Sequence, residues 1–164
     1  MLQLYLLRHG VAVPHGTPGI PDDERPLTPE GESKMEDVAR GIRRLRLGLD
    51  RIVTSPLPRA RRTAEIVAEE LDMEDRLEDS DVLRAGASAS TIRDWLGTRT
   101  EKRLMIVGHN PALTELLGLL IGVTTSPLPF ELKKGGLAAL ESKEGGGFLL
   151  DWLVTPKVIR RLLD

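Results

Sequence analysis

The 164-residue chain contains no cysteine, which excludes disulfides, zinc sites built on thiolates and every mechanism that runs through a cysteine nucleophile. Aromatics are scarce as well. Tyr5, Trp95, Phe130, Phe148 and Trp152 complete the set, so Leu, Ile, Val and Ala must build the core. No apolar run approaches the ~20 residues of a membrane-spanning helix. Met1 to Leu7 lacks the basic leader and long apolar region of a signal peptide, and runs straight into Arg8 and His9. A formal net charge of -2 speaks against a nucleic-acid binder, which normally carries a basic stripe with stacking aromatics. With 40% hydrophobic and 29% charged residues, the composition is that of a globular chain, neither disordered nor membrane-embedded. The expectation is a soluble, cytoplasmic protein in which residues 1–164 form a single domain.

Charge is less even locally. Arginines cluster at Arg40, Arg43, Arg44, Arg46 and Arg51, and Glu65 to Asp81 is strongly acidic. Both read first as solvated helix faces and a loop. The Arg40 to Arg46 face could also dock an acidic partner.

Leu2 to Leu7 is a short apolar run of the kind found in strands buried on both faces, ended by Arg8-His9-Gly10. Val11 to Pro26, rich in Pro, Gly and Asp, is a loop. Thr28-Pro29-Glu30 supplies an N-cap and a proline at the first helical position, and apolar Met35, Val38, Ala39, Ile42 and Leu45 then recur at helical spacing. Asp50 to Thr54 predicts a second strand, and Ser55-Pro56-Leu57-Pro58 turns into a helix carrying Ala60, Ala64, Ile66, Val67 and Leu71. A shorter helix follows over Ser90 to Leu96, then a strand over Leu104 to Val107 and a Pro111-initiated helix through Leu120. Leu137 to Glu141 and Phe148 to Leu153 flank a Gly145-Gly146-Gly147 turn and predict a hairpin, with a short basic helix, Val158 to Leu162, after Pro156. The alternation implies an α/β three-layer sandwich: a mostly parallel central sheet between helices, with an antiparallel edge from the C-terminal hairpin.

In such sheets ligands collect beyond the carboxyl ends of the strands. Three of these ends carry polar residues: Arg8-His9-Gly10, Ser55 with Arg59, Arg61 and Arg62, and Gly108-His109-Asn110. Two of the three histidines therefore fall where a parallel sheet would bring them together, while His15 in the loop looks ordinary. No histidine pair has metal-ligand spacing, and there is neither a Walker A run nor a Gly-x-Gly-x-x-Gly after the first strand. Two histidines with two arginines suit a phosphoryl dianion. Arginine's planar fork donates paired hydrogen bonds to phosphate oxygens, and a neutral imidazole is a nucleophile when a backbone carbonyl holds its other nitrogen. Spacing alone does not assign these roles.

Leu7-Arg8-His9-Gly10, Leu27-Thr28-Pro29-Glu30-Gly31, Ser55 to Glu65 and Val107-Gly108-His109-Asn110-Pro111, in that order, resemble the histidine phosphatase superfamily, the phosphoglycerate-mutase-like fold. The small size, Arg25-Pro26-Leu27-Thr28 and Gly108-His109-Asn110-Pro111 are most similar to its SixA group of phosphohistidine phosphatases. The resemblance implies that His9 is phosphorylated and then hydrolysed, that Arg8, Arg59 and His109 form the phosphate pocket, and that no metal or organic cofactor takes part. Asn110 either adds a hydrogen bond to phosphate or caps the following helix. Arg61 and Arg62 are expected to turn away from the face that Arg59 uses.

Larger members of the family place a glutamate as proton donor in a segment that here reads Val82-Leu83-Arg84-Ala85-Gly86, without an acid. Asp22, Asp23 and Asp81 are the carboxylates considered as substitutes. A missing acid favours cleavage of P–N over P–O bonds, because imidazole accepts a proton readily near neutral pH. The resemblance thus implies a phosphatase acting on a histidine-phosphorylated signalling protein. The alternatives are a small-molecule phosphomonoesterase for sugar or nucleotide phosphates and an inactive phosphate-binding module. The short loops argue against a mutase, and the oligomeric state stays open.

Overall fold

Leu4, Tyr5, Leu6 and Leu7 are all buried, so the first strand is covered on both faces, and the same holds for Leu104 to Val107. In the computed structural model, which describes residues 1–164, these runs become β1 (Gln3–Arg8) and β4 (Arg103–Gly108) at the centre of one sheet. The other strands are β2 (Arg51–Thr54), β3 (Leu77–Asp79), β5 (Leu137–Ser142) and β6 (Phe148–Val154), in the spatial order β3-β2-β4-β1-β5-β6. The first four in that order run parallel. The C-terminal hairpin docks through β5, antiparallel to β1, and leaves β6 outermost.

Alternation along the strands feeds two cores. Tyr5, Leu7, Ile52, Met105 and Val107 pack with α1 (Pro29–Leu45), α2 (Pro58–Glu70) and α5 (Pro156–Arg160). Leu4, Leu6, Val53, Leu104 and Ile106 pack on the other side with α3 (Ala89–Leu96) and α4 (Ala112–Ile121). Each fully buried leucine or isoleucine contributes about 1.5–3 kcal/mol relative to exposure, so the expected three-layer arrangement follows from the apolar pattern. No helix is long and apolar enough to cross a membrane.

The capping signal at Thr28 is realised: its hydroxyl accepts from the Gly31 amide at 2.9 Å, with Pro29 opening α1. The preceding loop is tied to this helix start. Thr28 N donates to Val11 O at 3.0 Å, Val13 N to Pro26 O at 2.9 Å, and Ala12 and Leu27 form an isolated bridge.

Two features depart from expectation. The acidic stretch contains a strand, β3, where only helix faces and a loop are expected: it pairs with β2, and its acids meet arginines from elsewhere in the chain, Glu78 with Arg51 at 3.2 Å and Arg99 at 2.8 Å, and Asp79 with Arg61. A charged edge strand of this kind also resists pairing with other chains. The last helix starts earlier than expected, because Thr155 caps it and Pro156 occupies its first turn.

Candidate active site

β1 and β4 pair with Arg8 opposite Gly108, so His9 and His109 are the next residues beyond the carboxyl ends of adjacent parallel strands. β2 pairs with β4 through Thr54 and Val107, and Ser55 N donates to Val107 O at 2.9 Å, which brings Ser55 alongside. After β1 the chain turns to the α1 face, and after β4 to the α4 face. The crevice opens where connections part in this way. Arg59 enters it from the first turn of α2. The result is a cleft of about 530 Å³ that gathers Arg8, His9, Arg59, His109 and Asn110.

His9 is 6% exposed, and its Nδ1 lies 2.7 Å from the Gly10 carbonyl oxygen. A carbonyl only accepts, so Nδ1 carries the hydrogen and Nε2 the lone pair. Burial holds this imidazole well below its usual value, at about 4; the Gly10 bond opposes that shift, and the charges of Arg59, Arg8 and Arg25 reinforce it. The ring is therefore neutral at pH 7. The Gly10 amide in turn donates to Thr63 Oγ1 at 3.0 Å, and the Thr63 hydroxyl to the Arg59 carbonyl at 2.8 Å, which fixes the loop after β1 to α2.

His109 is 3% exposed, with Nε2 2.8 Å from Ser55 Oγ. Burial, then His9, Arg59 and Arg25, lower it to about 3, against a small opposing effect of Asp22. Arg8 Nη1 donates to the Leu132 carbonyl at 3.1 Å, with Glu131 at 3.7 Å, and Arg59 Nη1 donates to the Asp22 carbonyl at 2.9 Å. Burial lowers both guanidiniums, yet arginine remains charged in proteins. Arg8 Nε, Arg59 Nε and His109 Nδ1 are buried without a partner in the protein. Buried donors are normally satisfied, so three such nitrogens in one cleft suit an acceptor with several oxygens.

Asn110 lines the cleft and is also bonded into the fold. Its Oδ1 accepts from Thr114 Oγ1 at 2.9 Å and its Nδ2 donates to Leu132 O at 2.9 Å, joining the start of α4 to the carbonyl that Arg8 also binds. Arg61 and Arg62 face away, toward Glu65 and Asp79 and toward Glu32 and Glu69 respectively.

Of the three carboxylates considered as acids, only Asp22 lines the cleft. Hydrogen bonds from His15 and Arg25 hold it at about 2, so it is ionised at neutral pH. Asp23 is exposed on the turn beside it, and Asp81 is paired with Arg84 at 2.8 Å outside the cleft. Ala85 is the member of the Val82–Gly86 segment that reaches the cleft. Sequence reasoning missed Arg25, Lys134 and His15, which all line it. Arg25 lies in the Arg25-Pro26-Leu27-Thr28 segment and so carried a signal; Lys134 and His15 carried none. No group of three or more His, Asp or Glu side chains is placed to hold a metal ion.

A family model for the histidine phosphatase superfamily (branch 1) matches residues 4–84, which include Arg8, His9 and Arg59. An uncharacterized protein of Picosynechococcus is 36% identical over 145 residues, covering 86% of each chain. The crystal structure of a SixA protein of Agrobacterium tumefaciens, provisionally described as a phosphohistidine phosphatase, matches 94% of this chain and 98% of its own, with a TM-score of 0.78 and 28% identity. A phosphoserine phosphatase mutant of Entamoeba histolytica, solved with phosphoserine, is similar in fold, with a TM-score of 0.74 over 96% and 98% of the two chains at 18% identity. The chain is a phosphatase and belongs to the histidine phosphatase superfamily.

Proposed function

We propose that this phosphatase removes the phosphoryl group from phosphohistidine on a protein, with His9 as nucleophile. His9 Nε2 attacks phosphorus, and the bond to the leaving group breaks as the P–N bond to His9 forms. Water then attacks the phosphorus of phospho-His9, releasing phosphate and restoring the neutral ring. Arg8 and Arg59 hold the phosphoryl oxygens, and His109 serves as a neutral donor through Nδ1 when the Ser55 hydroxyl donates to its Nε2. The observation that carries this reading is the His9 Nδ1 contact to Gly10 O, which leaves Nε2 as the free lone pair in a cleft shared with buried Arg59 and partly buried Arg8.

The choice of phosphohistidine rests on the leaving group. The one carboxylate lining the cleft is ionised Asp22, so no carboxylic acid is ready to protonate an alkoxide, whereas imidazole leaves readily near neutral pH. The segment between β3 and α3, Ser80 to Ser88, is short and brings only Ala85 to the cleft, which suits a substrate presented on a protein surface. The SixA likeness supports the same reading. The test is turnover of a histidine-phosphorylated phosphotransfer domain beside sugar, nucleotide and amino-acid phosphates, with His9→Ala as control. Fast His9-dependent loss of phosphohistidine with little action on the esters is expected. The reverse preference would make it a small-molecule phosphomonoesterase, and full activity in His9→Ala would remove the mechanism.

A further inference from the structure

The cleft is lined by a third histidine, His15, that the proposed catalytic set leaves unused. His15 occupies the second position of a turn from Pro14 to Thr17, closed by Thr17 N donating to Pro14 O at 3.3 Å. Gly16 follows at φ +79°, the conformation such a turn requires and glycine supplies. The turn holds His15 on the cleft rim, with its side chain 80% exposed and its Nδ1 2.5 Å from Asp22 Oδ1. Asp22 is itself fixed, accepting from Arg25 Nε at 2.7 Å and lying 3.8 Å from Arg59 Nη2. An ionised carboxylate on Nδ1 orients an imidazole and stabilises its charged form, which leaves Nε2–H to donate.

We propose that His15 gives the proton to the leaving group as the phosphoryl group passes to His9. The proposal rests on His9 being the nucleophile. As the bond from phosphorus to the leaving atom breaks, that group keeps the electron pair and takes the proton from His15 Nε2. In the second step neutral His15 takes a proton from the water that attacks phospho-His9, so each cycle returns His15 to its starting state. The charged groups around His15 are Asp22 on its own loop, Arg25 behind that carboxylate, Arg59 from α2 and Lys134 from the segment before β5. A donor of imidazole acidity also matches an imidazole leaving group.

The test is kcat/KM on aryl phosphates whose phenols rise in basicity, from p-nitrophenyl to phenyl phosphate, for the wild type, His15→Ala and His15→Asn. Asparagine retains a donor toward Asp22 but has no proton to give. Both variants are expected to stay within about 3-fold of wild type on p-nitrophenyl phosphate and to fall about 100-fold on phenyl phosphate, with loss of the alkaline arm of the pH profile. A loss equal on all esters, no loss, recovery in His15→Asn, or a wild-type rate that already collapses on phenyl phosphate would overturn it. Turnover surviving in His9→Ala is a different failure, that of the nucleophile itself.

Discussion

The rings of His9 and His109 lie with centroids 5.2 Å apart and planes inclined by 56°, brought together by the pairing of Arg8 with Gly108. Both are buried among arginines and held neutral, so protonating either opposes the fold.

That opposition has a sign. The folded values of about 4 and about 3 lie below the ~6.5 of an exposed histidine, so between these limits the unfolded chain binds more protons. The stability from the neutral rings is complete above pH 6.5 and is lost as pH falls through the folded values, by about 3 kcal/mol for His9. Urea midpoints should therefore drop between pH 7.5 and 5 in the wild type and much less in His9→Asn/His109→Asn. An equal drop in both would assign it to other groups.

Arg59 is 3% exposed and fixed through Asp22 and the Thr63–Gly10 chain. Arg59→Ala should lower kcat/KM by about 100-fold or more, as removal of a charged transition-state donor does. Arg59→Lys should recover only part, because an ammonium cannot span two oxygens. Inhibition by inorganic phosphate provides the parallel binding measurement, and unchanged inhibition in Arg59→Ala would exclude the clamp.

Ser55 Oγ meets His109 Nε2 and also accepts from Leu57 N at 3.2 Å. Ser55→Ala strands a buried ring nitrogen and frees the tautomer, at a cost of about 1–3 kcal/mol. Phosphate inhibition should weaken about tenfold, with the far-UV circular dichroism unchanged. Wild-type inhibition would mean that His109 needs no hydroxyl to keep its donor in place.

A methyl added at Gly31 would lie 2.1 Å from the Val11 carbonyl oxygen, two residues past His9. Gly31→Ala should destabilise by about 1–3 kcal/mol and also reduce activity. Gly41→Ala meets Ile159 O at 2.5 Å, away from the cleft, and should cost stability while leaving kcat/KM of the folded protein intact. Loss of activity in both would show that stability, not loop position, governs it.

Local chemistry settled much of this protein in advance. Apolar runs on strands, the Thr28 cap, helical spacing in α1 and the glycine turn of the hairpin each need only neighbouring residues, and so they could be read along the chain. The positions of His9, Arg59 and His109 at strand ends were legible too, because strand-helix alternation says where ends converge. Their tautomers and charge states depended on Gly10, Ser55 and the surrounding burial, which exist only after packing. β3 pairs with β2, and its acids meet arginines distant in sequence, neither of which a local pattern shows. Asp22 became an ion-paired anion, and His15 reached the cleft, because the loop after β1 is clamped back onto α1. Neighbouring residues were enough to place most of the helices and strands and to put the candidate residues at strand ends. The tertiary structure decided their protonation and partners, since electrostatic energies depend on distances and desolvation that no local pattern encodes.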